Sequence, residues 1–379
     1  MQWYGMGEGL LDLVGLLPLE AAGGSGSTLR QQKMTTPGDL ESIAQALVAA
    51  GKGILAADES FRTIEKRFKS IEVESSEASR RAYRELLLTT PRIGEFISGV
   101  IFFDETLRQQ TADGKPFVEV LSGEGVIAGI KVDTGAKALA GAPGETVTEG
   151  LDGLRERLDE YHRLGARFTK WRAVIAIGER MPSRYCIRAN AEALARFAAL
   201  SQETGLVPIV EPEVLMDGDH TIERCFEATE TTLHVVFEAL LRHRVGLERM
   251  LLKPNMVLSG KDCPSQADVD RVARETVRCL RRAVPAAVPG IVFLSGGQSN
   301  ERATAHLNAM NALAEAHPWQ LSFSYGRALQ DPPLRAWRGK AGNVQPAQQA
   351  FQHRARLNGA ARYGKYDQAM EKEPAAVGA

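Results

Sequence analysis

The stretch Arg249-Met250-Leu251-Leu252-Lys253-Pro254-Asn255-Met256 is a short apolar run in which a lysine follows the hydrophobic residues. A run of this length and composition is typical of a buried β-strand. Burying an unpaired ammonium group costs on the order of several kcal/mol, so such a lysine reaches water, finds partners or becomes neutral. In its neutral form it is a nucleophile that can form a Schiff base with a carbonyl group. Lys253 is therefore a candidate catalytic residue.

Seven further runs of the same kind recur along the chain, separated by stretches with a helical pattern. In chain order the eight runs are 53–58, 97–103, 129–132, 168–175, 207–213, 249–256, 291–297 and 321–327. Short apolar runs that alternate with amphipathic helices predict βα units and a parallel sheet. Eight such units predict a single-domain α/β protein, a closed (β/α)₈ TIM barrel.

Helical patterns and linker composition set the predicted limits of the barrel. Helices are predicted at 40–48, 76–88, 148–164 and about 333–362. The segment 21–27 reads Ala-Ala-Gly-Gly-Ser-Gly-Ser, which is the composition of a flexible linker. We therefore predict a disordered extension at 1–33, the barrel at 34–362 with Met34 at its start, and a flexible tail at 363–379.

Composition predicts one large soluble domain. The chain has 379 residues, of which 44% are hydrophobic and 25% charged, with a formal net charge of −1. This balance permits a full-sized core and gives no electrostatic case for nucleic acid or an anionic membrane. The apolar stretch 10–19 is interrupted by Asp12, and no basic residue precedes Arg30, so neither a signal peptide nor a membrane span fits. The cysteines lack zinc-type spacing, which indicates a reduced, cytoplasmic protein.

Charged and polar side chains gather in the later part of these runs. They are Asp58, Lys131, Lys170, Arg172, Glu211, Glu213, Lys253, Ser295 and Arg327. Side chains alternate along a strand, so Lys170 and Arg172 share a face, as do Glu211 and Glu213. Alone, such pairs are more typical of a solvated edge strand. A closed barrel has no edges and carries its active site at the carboxyl ends of the strands, so these charges are expected to converge and neutralise one another there.

Two anion sites are predicted around this end of the barrel. The turn Ser295-Gly296-Gly297 follows the seventh run and precedes a helix starting near Asn300, while Tyr325-Gly326-Arg327 follows the eighth run. A Gly-Gly pair alone is typical of an ordinary turn, but barrels commonly hold phosphate after strands seven and eight. The residues of the second predicted site are Ser60, Thr63, Lys66, Arg67 and Lys131. Two phosphates flanking a Schiff-base lysine indicate a doubly phosphorylated ketose.

Six strings of the sequence, in order and with matching spacing, resemble class I fructose-1,6-bisphosphate aldolase over about 38–366. They are GKGILAADES at 51–60, KWR at 170–172, VEPE at 210–213, LLKPNM at 251–256, FLSGGQS at 293–299 and FSYGRALQ at 323–330. The resemblance implies a metal-independent, cofactor-free aldehyde-lyase of glycolysis, gluconeogenesis or the Calvin cycle. Its expected reaction is reversible cleavage of fructose 1,6-bisphosphate to dihydroxyacetone phosphate and glyceraldehyde 3-phosphate.

The same resemblance implies a role for each site residue. Lys253 would form the Schiff base, Glu211 would dehydrate the carbinolamine, and Asp58 would lie near the 4-hydroxyl proton. Lys170 would stabilise charge beside them and help keep the catalytic lysine neutral, and Glu213 would position its neighbours. The implied substrate-binding residues are Ser60, Thr63, Lys66, Arg67, Lys131, Arg172, Ser295, Gly296, Gly297, Ser324, Gly326 and Arg327. Among these, Ser295, Gly296 and Arg327 would hold the 1-phosphate, and Ser60, Thr63 and Lys131 would lie near the 6-phosphate.

The sequence departs from the family pattern at two places. Phe61-Arg62 stands where the family has a small residue and a glycine, so Arg62 adds charge beside the expected 6-phosphate site. The chain ends on Val377-Gly378-Ala379 rather than on the tyrosine with which the family's eukaryotic members end. Tyr363 and Tyr366 are expected either to fold over the barrel mouth within a mobile tail or to be ordinary surface or packing side chains.

Other functions stay open at this point. One alternative is a Schiff-base aldolase for a singly phosphorylated or shorter sugar. Another is a silent binding protein on the same barrel, which the joint presence of Lys253, Glu211 and Asp58 disfavours. A metal-dependent aldolase is disfavoured because the seven histidines are scattered without ligand spacing, and no metal site is expected. Preference among fructose 1,6-bisphosphate, fructose 1-phosphate and sedoheptulose 1,7-bisphosphate is undecided. The expected partners are sugar phosphates and further copies of the chain, in a homotetramer like those of similar proteins.

Overall fold

The computed structural model describes residues 37–372. Within this range, eight parallel strands close into a barrel, which confirms the predicted (β/α)₈ architecture. The strands are β1 Gly53–Ala57, β2 Ile97–Phe102, β3 Ile127–Lys131, β4 Gly135–Ala138, β5 Thr146–Glu149, β6 Phe168–Ile175, β7 Val207–Val214, β8 Leu251–Leu252, β9 Gly290–Phe293 and β10 Gln320–Tyr325. The barrel follows chain order as β1, β2, β3, β6, β7, β8, β9 and β10, and β10 pairs with β1 to close it. Strands β4 and β5 form a separate antiparallel hairpin.

The helices pack around the outside of the barrel and also cover its amino end. They are α1 Pro37–Leu47, α2 Phe61–Lys69, α3 Glu77–Leu88, α4 Asp104–Leu107, α5 Phe117–Gly123, α6 Leu154–Arg163, α7 Arg184–Glu203, α8 Ile222–Arg242, α9 Val269–Ala283, α10 Asn300–Ala312, α11 Arg327–Trp337 and α12 Val344–Ala361. Short 3₁₀ turns lie at Ile93–Glu95, Leu247–Arg249, Ala341–Asn343 and Gln368–Lys372. Leu40 and Leu47 of α1 join the cluster that fills the barrel interior, so this helix closes the end opposite the carboxyl ends of the strands.

Successive side chains along each strand point alternately into the barrel and outward to the surrounding helices. Trp171 points outward and stacks on Phe197 of α7 at a centroid distance of 5.6 Å, whereas its neighbour Lys170 points into the barrel. Below Lys170 on the inner face, Phe168 fills the barrel axis. A Cβ atom at Gly129 of β3 would lie only 2.4 Å from the Phe168 ring, so this position needs a glycine. The large apolar side chains thus fill the part of the barrel nearer the amino ends of the strands, and polar groups occupy the carboxyl end.

The structure corrects two of the predicted helices. The segment predicted as one helix at 333–362 is two, because Arg338 and Gly339 adopt the left-handed conformation with φ of 49° and 71° and end α11. The helix predicted from 148 begins only at Leu154, since the preceding residues form β5 and a turn with Gly150 at φ 127°. Alternating Val and Thr in β5 is a strand pattern that the helix prediction overlooked.

The described residues beyond α12, 362–372, pack against the body of the barrel, and the rest of the predicted tail at 363–379 lies outside the described residues. Arg362 donates to the carbonyls of Val48 and Ala49, which places the end of α12, and Tyr363 beside it, at the amino end of the barrel. Tyr366 lies on the outside of α10, with its hydroxyl 2.9 Å from Glu371. Tyr363 is 56% exposed and Tyr366 is half-buried, and both lie away from the barrel mouth. The predicted extension at 1–33 lies outside the described residues.

Candidate active site

A large cavity opens at the carboxyl ends of the barrel strands. Its volume is about 880 Å³. Every residue predicted from the sequence to be catalytic or substrate-binding lines it, except Gly297. Gly297 lies just behind the lining, where a Cβ atom would come 3.0 Å from Nη2 of Arg327. The barrel has therefore gathered residues that are up to 269 positions apart, from Asp58 to Arg327, around one space.

Lys253 lies against Glu211 because the strand register brings the two together. Val210 of β7 pairs with Leu252 of β8, and the backbone N–H of Lys253 donates to the Val210 carbonyl at 2.8 Å, so the next residues are also neighbours. Nζ of Lys253 lies 3.1 Å from Oε1 of Glu211. Both side chains are only 4% exposed, so their contact takes place almost entirely out of water.

Lys170 connects the other oxygen of Glu211 to Asp58. Its Nζ lies 3.3 Å from Oε2 of Glu211 and 2.6 Å from Oδ2 of Asp58. Asp58 directly follows β1, and Lys170 belongs to β6, so the contact spans the cavity. The four side chains form a continuous chain of alternating charge, Lys253–Glu211–Lys170–Asp58, at the base of the cavity.

The charges in this chain shift each other's pKa values. Burial alone would raise the pKa of Asp58, but the ammonium groups of Lys170, Lys253 and Lys131 outweigh it and hold that pKa well below its usual range. Burial alone would lower the pKa of Lys170, but Asp58 and Glu211 outweigh it and raise that pKa well above its usual range. Asp58 is therefore a carboxylate and Lys170 an ammonium ion throughout the neutral range.

Two other predicted cations each meet a carboxylate. Arg172 pairs with Glu213, and this contact raises the pKa of Arg172 against the effect of burial. Lys131 lies 2.5 Å from Oδ1 of Asp133, whose Oδ2 accepts from the backbone of Arg172. In contrast, Lys66 and Arg327 take part in no ion pair among the described residues, and both line the cavity.

The turn after β9 and the residue after β10 form one wall of the cavity. Gly296 and Gly297 have φ angles of 58° and 96°, a conformation that favours glycine, and Gln298 donates its backbone N–H to the Ser295 carbonyl at 3.0 Å. The helix α10 begins two residues later, with Ser299 as its N-cap. The hydroxyl of Ser324 is buried, faces the cavity and has no hydrogen-bond partner among the described residues. Backbone donors, a free hydroxyl and Arg327 are suited to hold an anion here.

The opposite wall is formed by the start of α2. Ser60 is the N-cap of this helix, and its hydroxyl lies 3.1 Å from that of Thr63. Arg67, predicted as a phosphate ligand, instead binds the buried Glu59 at 2.5 Å. Glu59 also binds Arg84 at 2.5 Å, and the two guanidinium groups lower its pKa against the effect of burial. Lys66 also lies on this wall, and within the described residues it has no carboxylate partner.

Sequence reasoning missed three residues that shape this site. Asp133 and Glu59 each bind a predicted phosphate-binding cation. Each is the second residue after a barrel strand, and this position at the carboxyl end of the barrel could have indicated them. His306 lies on α10 and binds Gln298 behind the turn after β9. Nothing in the sequence indicates His306, because a lone histidine within a helix is usually a packing residue.

The described residues hold no group of three or more His, Cys, Asp or Glu side chains arranged to bind a metal ion. None of the helices from α1 to α12 is long and apolar enough to cross a membrane.

The fold and the cavity together define a barrel enzyme, with its polar groups at the carboxyl ends of the strands. Within that class, the chain belongs to the class-I fructose-bisphosphate aldolase family, whose model matches residues 39–378. It is 60% identical over 328 residues to the "Probable fructose-bisphosphate aldolase class 1" of Xanthomonas campestris pv. campestris, covering 86% of this chain and 98% of that protein. It is 57% identical over 316 residues to "Fructose-bisphosphate aldolase 4, cytosolic" of Arabidopsis thaliana, covering 83% and 80% of the two chains.

A solved structure supports the same assignment of fold. The fructose-bisphosphate aldolase from Plasmodium falciparum, in a complex with TRAP and a small-molecule inhibitor, superposes with a TM-score of 0.86. It is 50% identical in sequence, and the match covers 87% of this chain and 95% of that one. The sequence-based resemblance to class I aldolases is thereby confirmed.

Proposed function

We propose that this protein cleaves fructose 1,6-bisphosphate to dihydroxyacetone phosphate and glyceraldehyde 3-phosphate, and catalyses the reverse condensation, through a Schiff base on Lys253. The observation that carries the proposal is the buried contact of 3.1 Å between Lys253 Nζ and Glu211 Oε1, within a chain that belongs to the aldolase family. The chemistry needs no metal ion, because the protonated imine withdraws electrons from the substrate.

The first step joins substrate and enzyme. Lys253 passes a proton from Nζ to Oε1 of Glu211, 3.1 Å away, and the resulting neutral amine attacks the C2 carbonyl of the ketose and forms a carbinolamine. Glu211, beside the same nitrogen, donates a proton to the departing hydroxyl, so water leaves and an iminium ion remains. Lys170 stays protonated between the two carboxylates and stabilises the negative charge left on Glu211.

The second step breaks the C3–C4 bond. Asp58 accepts the proton of the 4-hydroxyl, and the oxygen forms the aldehyde carbonyl of glyceraldehyde 3-phosphate. The electron pair of the broken bond passes to the iminium, which becomes an enamine. C3 of the enamine then gains a proton from water, while Asp58 releases the proton that it accepted. Water attacks C2 and gives one proton to Glu211, dihydroxyacetone phosphate leaves, and Lys253 returns to the free amine. Asp58 lies 2.6 Å from Lys170, which orients it for this proton transfer.

The substrate's two phosphates would bind at the two walls of the cavity. Ser295, Gly296 and Arg327 would hold the 1-phosphate, with Gly297, Ser324 and Gly326 behind or beside them. Ser60, Thr63 and Lys131 would lie near the 6-phosphate. Lys66, Arg67 and Arg172 lie close by. Of these, Arg67 and Arg172 act mainly through their carboxylate partners, because Glu59 and Glu213 already satisfy much of their charge.

The test of this proposal is cleavage of fructose 1,6-bisphosphate, fructose 1-phosphate and sedoheptulose 1,7-bisphosphate in the presence of a strong metal chelator. We expect fructose 1,6-bisphosphate to be cleaved at the same rate with and without the chelator. Loss of cleavage when the chelator is added would contradict the lysine-based mechanism. Equal turnover of fructose 1-phosphate would show that the second phosphate wall does not contribute to selectivity.

We also propose that the protein works in the cytoplasm as a homotetramer. Relatives whose names state a cytosolic or cytoplasmic location, from Arabidopsis thaliana and Spinacia oleracea, support the first part. The second part rests on the resemblance to a family whose members are commonly tetramers. Light scattering coupled to size-exclusion chromatography tests it, since a tetramer has four times the mass of one 41.2 kDa chain.

A further inference from the structure

His306 is a buried histidine that contacts the anion-binding turn from behind. It lies on α10, is 0% exposed and does not line the cavity. Its Nδ1 atom is 2.6 Å from Oε1 of Gln298. Gln298 closes the turn that begins at Ser295, so the histidine is separated from the cavity by one residue's side chain and the turn itself.

The contacts of Gln298 determine which nitrogen of His306 carries the proton. Nε2 of Gln298 lies 3.6 Å from the sulfur of Met256, and a thioether sulfur can only accept a hydrogen bond. The amide nitrogen therefore faces Met256, and the amide oxygen faces His306. An oxygen can only accept, so Nδ1 of His306 must donate. Nε2 of the ring has no hydrogen-bond partner among the described residues.

The lowered pKa of His306 is consistent with a neutral ring that has a single N–H donor. Burial, together with the positive charge of Arg302, lowers the pKa of His306 to about 4. The ring is therefore neutral near pH 7, with one N–H group, and that group points at Gln298.

Gln298 links the turn to two other elements. Through His306 it is tied to α10, and through Met256 it is tied to the segment that follows Lys253. The same segment accepts a further bond, from the Leu294 N–H to the Pro254 carbonyl at 3.2 Å. On the cavity side of the turn, Ser295 and Gly296 line the cavity. The turn is thus held from behind while its backbone donors face the substrate.

We propose that His306 is a positioning residue for phosphate binding, which fixes the turn 295–298 through the side chain of Gln298. This inference rests on the proposed function, in which that turn holds the 1-phosphate. The two glycines at 296 and 297 make the turn conformationally permissive, so a hydrogen bond at its end is needed to keep the backbone N–H groups in place. Without that bond, phosphate affinity falls while the chemistry at Lys253 is unaffected.

The experiment compares His306→Leu, which keeps volume and removes the donor, with His306→Asn, whose amide places a donor near the former Nδ1 position. Gln298→Met removes the partner instead, and the double variant His306→Leu/Gln298→Met removes both. Met310→Ala is the control, because Met310 is buried on the same helix but has no contact with the turn among the described hydrogen bonds. For each, kcat and KM are measured for fructose 1,6-bisphosphate, and the dissociation constant of inorganic phosphate is measured by phosphorus-31 NMR titration.

We expect His306→Leu and Gln298→Met each to weaken phosphate binding and raise KM by about tenfold, with kcat within about twofold of the parent. His306→Asn should recover most of the affinity, and the double variant should be no worse than either single one. Unchanged phosphate affinity in His306→Leu and Gln298→Met would overturn the proposal. So would an equal loss in Met310→Ala, because the effect would then come from general destabilisation.

The proposed function and the positioning role of His306 would fail in different ways. If the parent protein neither cleaves the bisphosphate nor is trapped on Lys253, the proposed function is wrong, whatever the phosphate titration shows. If the parent is active and the titration is insensitive to His306 and Gln298, only the positioning role is wrong.

Discussion

Nζ of Lys170 lies 2.6 Å from Oδ2 of Asp58, and this ion pair joins two strands that are not neighbours in the barrel. Lys170 comes from β6 and Asp58 directly follows β1. Their contact, together with the one between Lys170 and Glu211, makes a buried ammonium ion the centre of the polar layer. A cation held there stabilises both carboxylates that the proposed mechanism uses.

Replacing Lys170 with Met should lower both activity and stability. Removing one partner of a buried ion pair leaves uncompensated charge, which costs about 3 to 5 kcal/mol of unfolding free energy. The loss of electrostatic stabilisation should lower kcat by about 10² or more. Urea unfolding and steady-state kinetics measure the two effects. Lys261→Arg, at an exposed ion pair, is the control and should match the parent in both; a stable, active Lys170→Met protein would contradict the role of this cation.

Asp58 should contribute a stability that depends on pH. Its pKa is lowered in the folded protein, so its carboxylate stabilises the fold fully above the unfolded pKa of about 3.9 and loses that contribution as the pH falls toward the folded pKa. The difference in unfolding free energy between the parent and Asp58→Asn should therefore be constant from about pH 5 to pH 8 and shrink below about pH 4. A difference that instead grows on acidification would show that the pKa of Asp58 is raised.

Sequence patterns predicted the barrel and the convergence of its charges well, for a physical reason. Short apolar runs are a strong local signal, and closure of the barrel brings the residues at their ends together whatever lies between. Lys253 and Glu211, in different runs, therefore meet without any local signal for their contact. Pairing between cations and carboxylates was less predictable: Glu59 and Asp133 neutralise Arg67 and Lys131, which depends on side-chain directions that periodicity does not give.

The limits of the helices were the weakest part of the prediction. Two helices at the carboxyl end were read as one, because the apolar spacing continues across Arg338 and Gly339 although the backbone turns there. His306 was missed for a different reason, since its importance comes from its contact with Gln298, and only the packing of α10 under the turn creates that contact.

Lys66 rather than Arg62 should recognise the second phosphate. Both lie on α2 and both are exposed, but Lys66 lines the cavity and Arg62 does not. Lys66→Ala should raise KM for fructose 1,6-bisphosphate by about two- to fivefold, as expected for an exposed charge. KM for fructose 1-phosphate, which lacks that phosphate, should not change. Arg62→Ala is the matched control with no expected effect, and the reverse pattern would show that Arg62 reaches the substrate.

A protein beginning at Met34 should fold and work as well as the full chain. The first described element, α1, begins at Pro37 and packs into the amino end of the barrel, so all the described elements are retained. We expect the same melting temperature, within about two degrees, and the same kcat/KM. A melting temperature lower by about 5 °C or more would correspond to a loss of well over 1 kcal/mol and would contradict the predicted boundary at residue 34.

The proposed mechanism requires Lys253 to form the Schiff base. Its most direct test is reduction by sodium borohydride in the presence of dihydroxyacetone phosphate, followed by peptide mass spectrometry, on the parent, Lys253→Arg and the control Lys261→Arg. Arginine keeps the positive charge but stays protonated and cannot form the imine. We predict one substrate-derived mass increment on the peptide that contains Lys253 in the parent and the control, and neither trapping nor turnover in Lys253→Arg. Appreciable cleavage by Lys253→Arg, or trapping on a different lysine in the parent, would show that Lys253 does not form the Schiff base.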